Sequence, residues 1–180
     1  MLIDAERSAL LVVDLQEKMV PALADGAAVV ANVRWLISVA MRLGVPVAAV
    51  EQYPQGLGPL VPEVAATLAP GAVAPKNHFS CVAAGCLAGL PGAGRAQVVL
   101  AGAEAHVCVL QSALELAAGG KEVFVVADAV GSRRAQDRDV ALARMRADGV
   151  RIVTREMVAF EWLREAGTAL FREVNREFLR

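Results

Sequence analysis

Short apolar runs alternate along the chain with stretches of helical period. Residues 8–14 (SALLVVD), 45–51, 97–102 and 122–128 are continuous runs rich in Val and Leu; residues 150–154 and 72–75 are shorter ones. Runs of this length without polar alternation predict strands covered on both faces, as in a parallel sheet. Between them, Val29, Val33, Leu36, Ala40 and Leu43 fall on one helical stripe, and Gly44 follows as a stop. Residues 108–118 predict a second helix, ended by Gly119-Gly120. Residues 137–148 predict a third, with Val140, Ala141 and Met145 inward. Residues 167–180 predict one more amphipathic helix. Residues 52–62 and 90–96 carry the prolines and glycines of loops. The order β-α-β-α-β predicts a doubly wound α/β sandwich in a single domain spanning residues 1–180.

Composition narrows the function classes. The 180 residues hold 18 Lys+Arg against 19 Asp+Glu, a formal net charge of −1. That balance argues against nucleic acid as a partner, because phosphate binding needs concentrated Lys and Arg. No run approaches the ~20 apolar residues that span a bilayer. Asp4 and Glu6 stand where a secretory signal would carry bases. Three cysteines do not make a disulfide framework. A soluble, cytoplasmic protein is expected, with no membrane partner. An apolar content of 56% in a chain of this size points to a homo-oligomer.

In an open α/β sheet, ligands bind outside the carboxyl ends of the strands. Asp14 and Glu51 close the first two apolar runs, Lys76 follows the short segment at 72–75, Cys108 opens the helix after the loop 102–107, and Asp128 closes the next run. The glycines of a dinucleotide site or a P-loop are absent, and Gln16 stands where an aspartyl phosphatase would place a second acid. Only two histidines, His78 and His106, are present, so neither a metal nor another cofactor is expected. At a helix N-terminus near Lys76, the Cys108 thiol is expected to shift toward thiolate, with Asp14 taking the proton. The bland readings stand beside this one: an inert buried Cys108, Asp14 capping a turn, or His106 as the base. Cys81 and Cys86 are expected as small core residues on a helix. Asp128 and Ser132-Arg133 are expected to order a turn and cap the helix that follows.

Several segments, in this order, resemble the isochorismatase-like cysteine hydrolase superfamily, in its metal-free branch. They are DLQEKM at 14–19, EQYPQGLG at 51–58, Lys76 followed by Phe79, GAEAHVCVLQSALELAAGG at 102–120, VVADAVGSR at 125–133 and TREMVAFEWL at 154–163. The resemblance covers nearly the whole chain. It implies a three-layer α/β/α sandwich whose six-stranded, mainly parallel sheet has the order 3-2-1-4-5-6. It implies a triad of Asp14, Lys76 and Cys108, in which the cysteine attacks, the aspartate moves the proton and the lysine stabilises the thiolate. It further implies a cis peptide between Ala103 and Glu104, aiming the backbone N–H groups of Glu104 and Cys108 at one oxyanion. Metal-dependent members carry an Asp and histidines after the second strand; this chain has Glu51-Gln52-Tyr53 there. Tyr53, Leu57 and Phe79 are expected to wall the pocket of a small-molecule substrate. The activity implied is hydrolysis of a small amide or imide C–N bond through a covalent thioester-like intermediate. Ester or vinyl-ether cleavage at the same site, and a non-catalytic interaction protein on this scaffold, are the alternatives.

Overall fold

The computed structural model describes residues 1–179, and its strands form on the continuous apolar runs. They are β1 (Ser8–Val13), β2 (Val47–Gln52), β3 (Val73–Lys76), β4 (Gln97–Ala103), β5 (Glu122–Gly131) and β6 (Arg151–Val153). One sheet joins them in the order 3-2-1-4-5-6, with every neighbouring pair parallel. The helices are α1 (Gly26–Arg42), α2 (Pro54–Leu57), α3 (Pro62–Ala65), α4 (Leu110–Ala118), α5 (Ala135–Ala147), α6 (Arg155–Leu163) and α7 (Ala169–Phe178).

Side chains alternate across a strand, so each apolar run supplies two cores. Leu10 and Val12 of β1 join Val99, Ala101, Phe124 and Val126 beneath α1, α6 and α7. Leu11 and Val13 join Val98, Leu100, Val123 and Val125 beneath α4 and α5. All six residues of β1 are buried. Each such Val or Leu contributes roughly 1.5–3 kcal/mol of burial, which is why the central strands carry no polar alternation.

Several expectations are corrected. The fourth long run does not end at Asp128: pairing with β4 shifts between Leu100 and Gly102, resumes at Val130 and Gly131, and carries β5 to Gly131. Asp128 therefore lies within β5, beside the carboxyl end of β6, where its Oδ1 accepts the backbone N–H of Arg155 (2.9 Å). Residues 79–93 form successive turns rather than a helix, so Cys81 and Cys86 sit in turns. Cys81 is fully buried, and its backbone N–H donates to Ser112 Oγ (3.1 Å). No side chain caps α5, so Ser132 and Arg133 do not serve as caps. The loop at 52–62 holds α2 and the start of α3, each with proline in its first turn, where the missing N–H costs nothing. The last helix stops at Phe178; Arg180 lies outside the described residues. Among the described residues, no helix is long and apolar enough to cross a membrane.

Candidate active site

The order of the strands brings the carboxyl ends of β1 and β4 side by side, with those of β2 and β3 beyond β1. At the end of β1 the chain turns through Asp14, which adopts the left-handed region (φ 51°). Gly102 of β4 lies directly against this bend. A Cβ there would stand 2.0 Å from the Val13 carbonyl oxygen, and its φ of +118° also favours glycine. This close approach seats the turn that follows β4 over the end of β1. That turn is a five-residue π-helical segment, Ala105–Val109, leading into α4. Such turns re-aim side chains within a helix, and this one carries Cys108.

Lys76 ends β3, opposite Gln52 at the end of β2. Its Nζ donates to Asp14 Oδ2 (2.8 Å) and Gln52 Oε1 (2.6 Å), and the Asp14 and Lys76 side chains are both at 0% exposure. The Cys108 thiol is buried beside them and donates to Gln52 Oε1 at 3.8 Å. Asp14 Oδ1 is buried and accepts no hydrogen bond among the described residues. One acceptor of the base is therefore open next to the thiol.

Electrostatics here differ from the thiolate expectation. Burial pushes the Cys108 pKa up, and the Asp14 carboxylate pushes it further; Lys76 opposes both and is outweighed. Burial and Asp14 together therefore favour the thiol over the thiolate. Burial likewise raises the Asp14 pKa, against the opposing charge of Lys76. A carboxylate made more basic in this way is a better proton acceptor.

The two residues beside Asp14 and Lys76 that sequence reading passed over are Gln52 and Gln16. Gln52 sits two positions after Val50, hence on the same face of β2 as that core residue; the period of two along the strand was the available signal. Its neighbour Glu51 points the other way and accepts the backbone N–H of Leu60 (2.8 Å). Gln16 is fully buried and clamps the end of β2: its Oε1 accepts from Gln52 N (2.8 Å), and its Nε2 donates to Gln52 O (2.9 Å) and Gly58 O (2.7 Å).

Above the thiol opens a cavity of about 330 Å³. Met19, Leu57, Phe79 and Val107 give it apolar walls, and Lys18, Glu104 and Arg133 add charge. Tyr53 does not line it; the ring packs over Gly56 instead, and the residue is 54% exposed. The peptide between Ala103 and Glu104 is cis. The Glu104 carboxylate accepts from Arg133 Nε (3.0 Å), Nη2 (2.7 Å) and backbone N (2.9 Å). Burial works against ionisation of Glu104, but the Arg133 bonds and charge outweigh it and hold the carboxyl below its ordinary value. His106 turns away from the thiol, with Nδ1 3.0 Å from Ser132 Oγ, and His78 is exposed. Among the described residues no three His, Cys, Asp or Glu side chains gather as a metal site would require.

Comparison with known proteins places the fold and the family. Isochorismatase domain-containing protein 2A of Mus musculus is 40% identical over 174 residues, covering 95% of this chain and 82% of its own. The structure of the MAR1 ribonuclease from Caenorhabditis elegans superposes with a TM-score of 0.89 at 34% identity, covering 100% of this chain and 93% of that one. The YcaC gene product of Escherichia coli, described as an octameric hydrolase of unknown specificity, superposes with a TM-score of 0.82 at 28% identity, covering 92% and 83%. The model of the isochorismatase domain matches residues 8–157, so the chain belongs to the isochorismatase family.

Proposed function

We propose that the protein is a cysteine hydrolase that opens a C–N bond of a small amide or imide. The observation that carries this reading is the fully buried Lys76–Asp14 ion pair, set beside a thiol at the floor of an open cavity. Burying two charges is a poor route to stability, since desolvation offsets much of their attraction. Its benefit lies in chemistry: a fixed, water-poor base next to a nucleophile.

Asp14 takes the thiol proton as Cys108 Sγ bonds to the substrate carbonyl carbon. The resulting oxyanion is held by the backbone N–H groups of Glu104 and Cys108. Asp14 returns the proton to the nitrogen, the C–N bond breaks, and the amine leaves a thioester on Cys108. Water then attacks that thioester, giving its proton to Asp14, and the acid departs as the thiol re-forms. Lys76 keeps Asp14 ionised and fixes its orientation together with Gln52. A cavity of about 330 Å³ is of the size that encloses a small molecule. A homo-oligomer belongs to the same reading, given the octameric YcaC neighbour.

A screen over small amides and cyclic ureides, with Cys108→Ala as the blank, tests the proposal. Turnover is expected to vanish in Cys108→Ala and in Asp14→Asn while both variants keep the wild-type circular dichroism and elution volume. A Cys108→Ala protein with full activity would end it.

A further inference from the structure

From the charges around the cavity we infer that the substrate is a monoanion, a short carboxylate-bearing amide whose acid group is held at the mouth by Lys18 and Arg133. This rests on Cys108 being the nucleophile. The floor is neutral, because Asp14 and Lys76 cancel at 2.8 Å. Among the residues that line the cavity, Lys18 and Arg133 stand against Glu104 alone, a lining excess of one positive charge; Asp137 acts on Arg133 from outside the lining.

The two cations are held differently. Arg133 is anchored through Nε and Nη2 on Glu104, and its Nη1 makes no hydrogen bond among the described residues. That free edge of the guanidinium fork is a donor suited to a carboxylate oxygen. The Lys18 ammonium is tethered to the Gly56 carbonyl oxygen (2.9 Å), a neutral acceptor, and its charge meets no acid there. Glu17, the next acid along the chain, lies against Gly58 and is not part of the lining. Beside the cations and the thiol, the lining is mainly apolar, with Met19, Leu57, Phe79 and Val107. They offer a short apolar body no hydrogen bonds. A ligand matching this lining has a scissile carbonyl for the thiol, a compact hydrocarbon body and one negative charge.

Iodoacetate and iodoacetamide are near in size and differ in charge, so their rates of alkylating Cys108 read the inference without a known substrate. Each rate is followed by mass spectrometry of the Cys108 peptide and divided by the rate for glutathione in the same buffer. At low salt, the normalised ratio of iodoacetate to iodoacetamide is expected to favour iodoacetate by about fivefold, the effect of one nearby charge in partly screened surroundings. It should fall as salt is added and drop toward unity in Lys18→Gln. A ratio at or below one that Lys18→Gln leaves unchanged overturns the inference while leaving the nucleophile intact. If neither reagent modifies Cys108 faster than Cys81 or Cys86, the nucleophile reading falls, and this inference with it.

Discussion

Replacing Lys76 with Met removes the cation from a pair whose two side chains are both fully buried at 2.8 Å. At an effective dielectric constant near 20, the attraction lost is about 6 kcal/mol before desolvation is counted. Asp14 limits the damage by taking a proton. Holding it neutral at pH 7, against an ordinary pKa of 3.8, costs about 4.4 kcal/mol at about 1.4 kcal/mol per pH unit. Protonation caps the loss near the second figure, and Lys76→Met is expected to lose about 3–5 kcal/mol at pH 7, the usual cost of breaking a buried pair. For a chain of this size that is a fall of roughly 6–20 °C in Tm.

The pH dependence has a definite sign. In the variant, the folded-state pKa of Asp14 rises further above 3.8, so the folded chain holds that proton more tightly than the unfolded one. The variant's deficit is therefore largest at neutral pH and shrinks as pH falls toward 3.8. Asp14→Asn/Lys76→Met, which carries no charge at either position, should lose that dependence. Urea denaturation of wild type and both variants across pH 4–8 measures it. A deficit below about 1 kcal/mol at pH 7, or one that does not change with pH, would refute the burial and the charge state assigned to this pair.

Two more predictions concern the frame around the site. Gly102→Ala puts a Cβ 2.0 Å from the Val13 carbonyl at a φ of +118°; strain and overpacking together predict a loss of about 2–6 kcal/mol, and thermal denaturation within about 1 kcal/mol of wild type would contradict the close approach. Glu104 has its pKa held below 4.5 by Arg133, so its ion pair contributes stability above that value and loses it as pH falls through the folded pKa. Acid titration should therefore show wild type and Glu104→Gln converging below pH 4.5, and parallel curves would rule out that contribution.

Sequence reading found the strands because each is a short run whose burial on both faces removes polar alternation. It also located Asp14, Lys76 and Cys108 near strand ends, since the ends of apolar runs are local features. It misplaced the end of β5, where a shift in pairing with β4 between Leu100 and Gly102 lets the strand resume at Val130. It did not predict α6, although Val158, Ala159 and Trp162 recur at helical spacing and pack against the core. Tyr53 was expected on the cavity wall from its place in the loop after β2. The turn at φ 37° sends it outward, and no pattern in the sequence carries that angle.

The chain alone determined where strands begin and which ionisable or nucleophilic residues stand near the rim of the sheet, because these follow from local period, length and residue type. The state of the thiol, and the company it keeps, were decided only by the tertiary structure. Asp14 and Lys76 stand 62 residues apart, and whether they lower or raise the Cys108 pKa depends on how much water their packing excludes. The same holds for Gln52 and for the Glu104–Arg133 pair. Their roles come from which distant groups face them, and desolvation and Coulomb energy depend on that distance and not on sequence spacing.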